Sequence, residues 1–460
     1  MIGRMVLFGA SGDLTARFLM PALGALQAAG RLPEGFGLVG AARESWDDEV
    51  FRRHAAAALE RHGADVPVDG RRTLVDALTY RQVELAEPSS VAGAVQGEGP
   101  VATYLALPPG LFASTVTHLA AAHLPAGSRV AIEKPFGEDL AGAVSLNELF
   151  ARLFGAATEQ TLFRVDHVLG MATVQNLEGL RLHDRILDSV WNSTHIEEIQ
   201  VLWEEDLALE GRAAYYDGAG ALKDVMQNHM LQILCVLAME PPGADVGASL
   251  RDHKAAVLRN LRAPSAEAAS WTRRARYTAG RLGDRTIPAY AEEEGVEPER
   301  CTETFAEVRL ELDAERWRHT RFLLRAGKAL GQCHREVVVR FRPSDRRSSA
   351  AEGARNELRI GIEGPEDLAL TLVGSGAGSE PRPEPMRLSG PPPASELPAY
   401  GRVLLDLLEG GSALSVRGDA AEAAWRVMTP VLEAWASGGV RLEEYPAGSG
   451  GPPPRQAEGL

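Results

Sequence analysis

The sequence predicts an α/β N-terminal domain followed by an α+β C-terminal domain, and three observations lead there. The chain has 460 residues, more than the roughly 250 to 300 at which a single hydrophobic core stops growing, so two domains are expected. From "RMVLFGA" to "SRVAIEKPF", short apolar runs alternate with amphipathic segments, the pattern of a parallel sheet with crossover helices. Beyond about residue 165 longer helices give way to stretches of period-2 alternation, which is how an antiparallel sheet with one wet face reads. The expected domains are 1–165 and 166–440, with a C-terminal tail over 441–460.

In order along the chain, "RMVLFGA", "FGLVGAA", "VATYLALPP" and "SRVAIEKPF" are the strands of the first domain. In the second, "HIEEIQVLWEE", "ETFAEVRLELD", "REVVVRFRP" and "LRIGIEG" alternate apolar and charged residues, so each is expected to bury one face. The stretch from Gly374 to Pro398 is rich in Gly, Pro and Ser and reads as a surface loop. A final helix is expected through "DAAEAAWRVMTPVLEAW", broken or kinked near Pro430 because proline lacks the N–H that a helix interior needs. The closing "PAGSGGPPPRQAEGL" reads as a frayed tail.

The formal net charge of -15 repels phosphodiester backbones, and no Lys/Arg cluster with interleaved aromatics offers a local exception, which argues against a nucleic-acid partner. Three cysteines, Cys235, Cys301 and Cys333, make no disulfide framework and stand in no metal-binding spacing. With no signal-peptide pattern and no apolar run of about 18 residues, a cytoplasmic protein without a membrane span and without a metal is expected.

"MVLFGASGDLTARFLMPAL" carries an apolar strand into Gly9, Ser11 and Gly12 and then into a helix. Small residues at a strand end let backbone N–H groups and a helix N-terminus face a phosphate. The spacing is Gly-x-x-Gly, so these residues also fit a plain tight turn. The next strand, "FGLVGAARESW", ends in Arg43, where a dinucleotide fold reads the adenosine ribose; an arginine there accommodates the 2′-phosphate of NADP, although a solvated surface charge reads the same way.

"LKDVMQNHMLQILCVLAME" is apolar nearly all round after Val225 and reads as a buried helix. His229 on it is either a hydrogen-bonded core histidine or a base, with Asp224 or Asp166 as partner. A carboxylate on one ring nitrogen fixes the tautomer and leaves the other nitrogen to accept a proton. Taking a hydroxyl proton while hydride leaves the same carbon is the step a dinucleotide dehydrogenase requires.

Together "GASGDL" (Gly9–Leu14), "YLALPP", "EKPFG" (Glu133–Gly137), "RVDH" (Arg164–His167), "DVMQNH" (Asp224–His229), "RYTAG", "EEEGV", "LRAGKAL" (Leu324–Leu330) and "YPAGSGGP" resemble the glucose-6-phosphate dehydrogenase family over nearly the whole chain. The resemblance implies a Rossmann-type N-terminal domain and an α+β C-terminal domain built on a large, mostly antiparallel sheet that commonly forms a dimer interface, hence a homodimer or homotetramer. It implies NADP lying between the loop of Gly9, Ser11, Gly12, Asp13 and Leu14 and the side chain of Arg43. It implies His229 as general base, Asp166 as its orienter, and Lys134, before a cis proline bond, as the group that contacts both sugar and cofactor. Glu205 and Asp224 would hold sugar hydroxyls, His167 the sugar's phosphate, and Lys328 belongs to the retained "GK" pair.

The chain departs from the family in one place above all: where typical members read "RIDHYLGKE", it reads "RVDHVLGMA". Tyr is replaced by Val168, Lys by Met171 and Glu by Ala172. Elsewhere a lysine aligns with Phe18, an arginine with Cys333 and a glutamine with Glu363. Each charge-assisted hydrogen bond contributes roughly 1.5 to 3 kcal/mol, so losing two or three should weaken a sugar phosphate about a thousandfold. The expected activity is therefore oxidation of the C1 hydroxyl of a pyranose to the 1,5-lactone, on an unphosphorylated or C6-modified (amino) sugar. Two alternatives stand beside it: a true glucose-6-phosphate dehydrogenase whose cations come from Arg335 or Arg164, and a non-catalytic regulatory relative, against which the intact Lys134, Asp166, Asp224 and His229 count.

Overall fold

The computed structural model describes residues 1–241, 249–343, 355–363, 368–375, 383–391 and 395–453. By its contacts the chain divides into two compact units, Met1–Ala172 with Ala394–Glu422, and Thr173–Pro393 with Ala423–Leu460. This differs from the boundary expected at residue 165 and from a single C-terminal block. The reason is local packing in the first unit. The turn that follows "RVD" is seated on the helix Ala399–Glu409, so closely that a Cβ on Gly170 would lie 2.3 Å from the Ala399 carbonyl oxygen.

In the first unit six parallel strands, β1 (Arg4–Phe8), β2 (Gly37–Ala42), β3 (Leu78–Gln82), β4 (Ala102–Leu105), β5 (Arg129–Glu133) and β6 (Leu162–Val165), run in the order β6-β5-β4-β1-β2-β3. Ser415–Val416 pairs antiparallel with β6 and covers what would be an open edge. β4 is fully buried and β1 is buried from Met5 to Phe8, as strands covered by helices on both faces must be. β3, "LTYRQ", ends in two exposed residues and carries little apolar signal, which is why its sequence does not announce it. The order reverses at β1, the point where such sheets open a crevice at the carboxyl ends of their strands.

The second unit holds a ten-stranded mixed sheet among the described residues. Its main strands are β7 (Ile196–Glu204), β8 (Thr272–Thr278), β9 (Phe305–Leu312), β10 (Arg321–Gly327), β11 (His334–Phe341), β12 (Glu357–Gly361), β13 (Leu368–Ser375), β14 (Pro383–Gly390) and β15 (Leu442–Pro446). They run in the order β14-β13-β12-β11-β7-β10-β9-β8-β15. Pairing is antiparallel except between β7 and β10 and between β8 and β15.

Two expectations fail here, and a third in part. The Gly374–Pro398 stretch contains β14, whose prolines are tolerated because it is the edge strand of the sheet among the described residues; 376–382 and 392–394 lie outside the described residues. The tail supplies β15, and Tyr445 is buried with its hydroxyl donating to the Lys328 carbonyl at 2.7 Å, while 454–460 lie outside the described residues. The last helix, Gly418–Ala436, continues through Pro430 instead of breaking there. Among the described residues no helix is long and apolar enough to cross a membrane.

Candidate active site

The predicted site residues fall in both units: Lys134, Asp166, His167 and the glycine loop in the first, Glu205, Asp224, His229 and Lys328 in the second.

At the end of β1, Gly9 adopts φ +78, and a Cβ there would lie 2.1 Å from the Ala106 carbonyl oxygen, so only glycine fits the turn. The Gly12 N–H donates to Gly9 O at 3.0 Å, and the Thr15 hydroxyl donates to the same oxygen at 3.0 Å. Behind the loop the chain enters a π-helical turn, Thr15–Leu19, in which Met20 N–H reaches back to Thr15 O. A cavity of about 770 Å3 opens in front of the strand ends, lined by Gly9, Ser11, Gly12, Arg43, Glu44 and Ala106 among others. Asp13 instead points to solvent, 3.5 Å from Arg17, and neither it nor Leu14 or Lys134 lines this cavity. The Arg43 side chain is 89% exposed, with its Nε 3.6 Å from Glu44 Oε1. Glu44 was not foreseen. It follows the predicted Arg43 directly, and an acid at the end of the second strand was a readable signal.

The residues present fit a dinucleotide. The small residues Gly9, Ser11 and Gly12 line the cavity and leave room for a phosphate to approach the backbone, and the Arg43 guanidinium at the end of the second strand suits a 2′-phosphate.

β5 delivers Glu133 and Lys134, and the Lys134–Pro135 bond is cis as expected. Glu133 is buried and accepts a hydrogen bond from the Tyr104 hydroxyl. Burial pushes its carboxyl up to about 7, opposed by the hydrogen bond from Tyr104, by the Lys134 charge and by a hydrogen bond from Tyr400. Asp166 is 1% exposed and caps the turn His167–Gly170, accepting from Val168 N–H at 3.2 Å. The His167 ring stacks on Tyr400 with centroids 5.2 Å apart, and Phe18 leans on the same tyrosine at 5.6 Å. Tyr400 therefore supports both Glu133 and His167, a role its place far along the chain concealed. Val168 is fully buried and Met171 partly so.

In the second unit His229 sits 3% exposed on a π-helical segment, Leu222–Met230, that passes into the α-helix Leu231–Ala238. Leu231 N–H reaches back five residues to Met226 O. In a regular helix residues five apart diverge by about 140°; the wider π turn draws Asp224 and His229 toward one face. Both ends of the helix are fastened. Buried Glu303 accepts from Leu222 N–H at 3.0 Å at the start. At the far end Arg181 and the Trp191 indole donate to Leu237 O at 3.0 and 2.8 Å, and the Trp317 indole donates to Ala238 O at 2.8 Å. These donors satisfy carbonyls that a buried helix end leaves orphaned. The His229 ring lies 5.8 Å from that of Trp203 on β7.

Lys328 donates to Glu205 and stands 3.8 Å from Asp224. Arg335 donates to Glu205 at 2.6 Å and to Glu363, over the face of Trp203. Of the two substitute cations considered, Arg164 is 1% exposed and paired with Glu159 at 2.9 Å in the first unit, which makes it a structural residue. Arg335, 19% exposed beside Glu205, remains.

A model of the glucose-6-phosphate dehydrogenase NAD binding domain matches residues 6–176, and one of the C-terminal domain of the same enzyme matches 179–458. The chain belongs to the glucose-6-phosphate dehydrogenase family. It is a dehydrogenase by that membership, and NADP is its cofactor. Glucose-6-phosphate 1-dehydrogenase of Treponema pallidum (strain Nichols) is 38% identical, with 97% of this chain and 92% of that protein covered. The namesake from Gluconobacter oxydans (strain 621H) is 36% identical over 97% and 94%. Among solved structures, a glucose-6-phosphate dehydrogenase in complex with its substrate glucose-6-phosphate superposes with a TM-score of 0.87 at 29% identity, covering 98% of this chain and 95% of that one. The enzyme from Mycobacterium avium gives 0.82 at 31%, covering 98% and 96%.

Proposed function

We propose that the chain oxidises the C1 hydroxyl of glucose 6-phosphate to the 1,5-lactone. The observation that carries this reading is similarity along almost the entire chain to enzymes named for that activity. His229 takes the C1 hydroxyl proton on a ring nitrogen, with Asp166 fixing the tautomer. NADP, held by the glycine loop and Arg43, would supply the hydride acceptor. Lys134 positions the sugar against it, and Glu205 and Asp224 accept hydrogen bonds from ring hydroxyls while Lys328 pairs with both carboxylates. His167 and Arg335 serve the phosphate.

The departures at Val168 and Met171 favour a second reading, an unphosphorylated or C6-amino hexose. Burial weakens it, because Val168 has no exposed surface to offer any group at C6. Steady-state kinetics with glucose 6-phosphate, glucose and glucosamine decide between them. We expect kcat/KM for glucose 6-phosphate to exceed that for glucose by about a thousandfold or more, the equivalent of two or three charge-assisted contacts. A preference for either free sugar establishes the second reading instead.

Arg43 is proposed to hold the 2′-phosphate. Arg43→Ala should raise KM for NADP by about 10- to 100-fold, the loss of one charge-assisted contact, and leave KM for NAD nearly unchanged. Equal changes for the two cofactors would make Arg43 a surface charge.

A further inference from the structure

Lys328 stands where two neighbouring strands of the second unit end together. β7 and β10 pair in parallel with Glu204 opposite Gly327, so Glu205 and Lys328 leave the sheet side by side. Their main chains are tied to each other and to the strand beyond: Glu205 N–H donates to Gly327 O, Leu330 N–H to Glu205 O and Lys328 N–H to Thr304 O, each at 2.9 Å. The Lys328 carbonyl accepts from the Tyr445 hydroxyl. The backbone is thereby fixed, but the ammonium is not, because a flexible four-carbon stem separates the two. Glu205 and Asp224 attract it from their side.

Tyr216 holds it from another. The centroid of its ring lies 5.3 Å from Lys328 Nζ, inside the roughly 6 Å at which an aromatic face attracts a cation. The ring is buried on the short helix Ala213–Asp217 and packs edge-on to Tyr290 with centroids 6.4 Å apart. Tyr290 in turn donates to buried Asp217 at 2.7 Å, which locks the pair of rings in place. The Tyr216 hydroxyl is buried and has no hydrogen-bond partner among the described residues. Burial, joined by the charges of Asp224, Glu303 and Glu205, holds this phenol well above its ordinary value. It stays protonated, so Lys328 meets a neutral π face and not a phenolate. An orphaned buried hydroxyl costs stability, which leaves the ring as the working part of the side chain.

We infer that Tyr216 is a positioning residue of the sugar site: its ring face holds the Lys328 ammonium against Glu205 and Asp224, and so keeps both carboxylates set to receive ring hydroxyls. The inference rests on the proposed roles of Glu205, Asp224 and Lys328 and names the group that stands behind them.

Steady-state kinetics with glucose 6-phosphate and calorimetric NADP binding, both on the full chain, test it. Tyr216→Leu should raise KM for glucose 6-phosphate about tenfold, the size of one partly desolvated cation–π contact, while kcat and the dissociation constant for NADP stay within about threefold of the parent. Tyr216→Phe keeps the face and should restore the parent KM, with a Tm no lower than that of the parent because an unpaired hydroxyl is gone. Phenylalanines of increasing ring fluorination at position 216 drain the π face without changing its outline, and KM should climb with each step. Packing alone produces no such gradient, and the series decides the matter even where the leucine variant fails to fold. In a Lys328→Met background, Tyr216→Leu should add less than about twofold, since the cation it serves is absent. A phenylalanine variant as impaired as the leucine one, a flat fluorination series, or an undiminished effect in the Lys328→Met background overturns the inference alone. A parent-like KM in Lys328→Met by itself, or no turnover of glucose 6-phosphate by the parent, overturns the site reading beneath it.

Discussion

His229→Asn lowers kcat by about 100-fold or more and leaves the dissociation constant for NADP unchanged, because a general base acts on the transition state and not on cofactor binding. The imidazole is almost fully buried, its helix is fastened at both ends by Glu303, Arg181, Trp191 and Trp317, and its ring packs near Trp203. Such fixation is what a base needs to meet one proton reproducibly. Asparagine keeps a polar side chain of related shape without a titratable nitrogen, so the helix should survive the change. Rapid-quench or steady-state kinetics with glucose 6-phosphate, together with calorimetric NADP binding, give the comparison. Parent-like turnover in the mutant would remove His229 from the mechanism and return it to the core.

Gly9→Ala abolishes measurable NADP binding and destabilises the first unit by about 2 to 5 kcal/mol, the sum of a positive-φ penalty and the cost of overpacking. The added Cβ would come within 2.1 Å of the Ala106 carbonyl oxygen, a backbone atom of the strand end that cannot move aside cheaply. Relieving that clash requires the loop to leave the end of β4, and the cavity wall that Gly9, Ser11 and Gly12 form is displaced with it. Gly12→Ala is the control: its Cβ would meet only Gly9 O at 3.2 Å, at a φ outside the left-handed range, and it should bind NADP with a modest loss. A Tm and an NADP affinity for Gly9→Ala matching those of Gly12→Ala would show that the turn is less constrained than its geometry implies.

The parts of this molecule that local patterning encodes were legible without a structure. β1, β2, β4 and β5 are strongly apolar runs bounded by small residues, and β7, β9, β11 and β12 alternate charge with hydrophobe. Gly9, Ser11, Gly12 and Arg43 carry their meaning in their position relative to a strand, and all four line the cavity at the strand ends. Asp13 and Leu14, taken with them, do not line the cavity, because the helix that begins there turns Asp13 to solvent beside Arg17.

By itself, then, the sequence determined the two-part α/β and α+β architecture, the family and the identity of the polar groups. Only the tertiary structure decided the features made by residues far apart in sequence or by departures from regular geometry. Tyr400 returns from the second half of the chain to support His167 and Glu133. Ser415–Val416 seals the edge of β6. The π turn sets the backbone spacing between Asp224 and His229. Arg164 and Arg335 read alike in sequence, yet one is enclosed with Glu159 and the other stands beside Glu205. Val168 was read as part of a pocket and is core. A side chain's type and its helical or strand period are written locally, whereas the partner it meets depends on long-range packing, which costs chain entropy that no local pattern reveals.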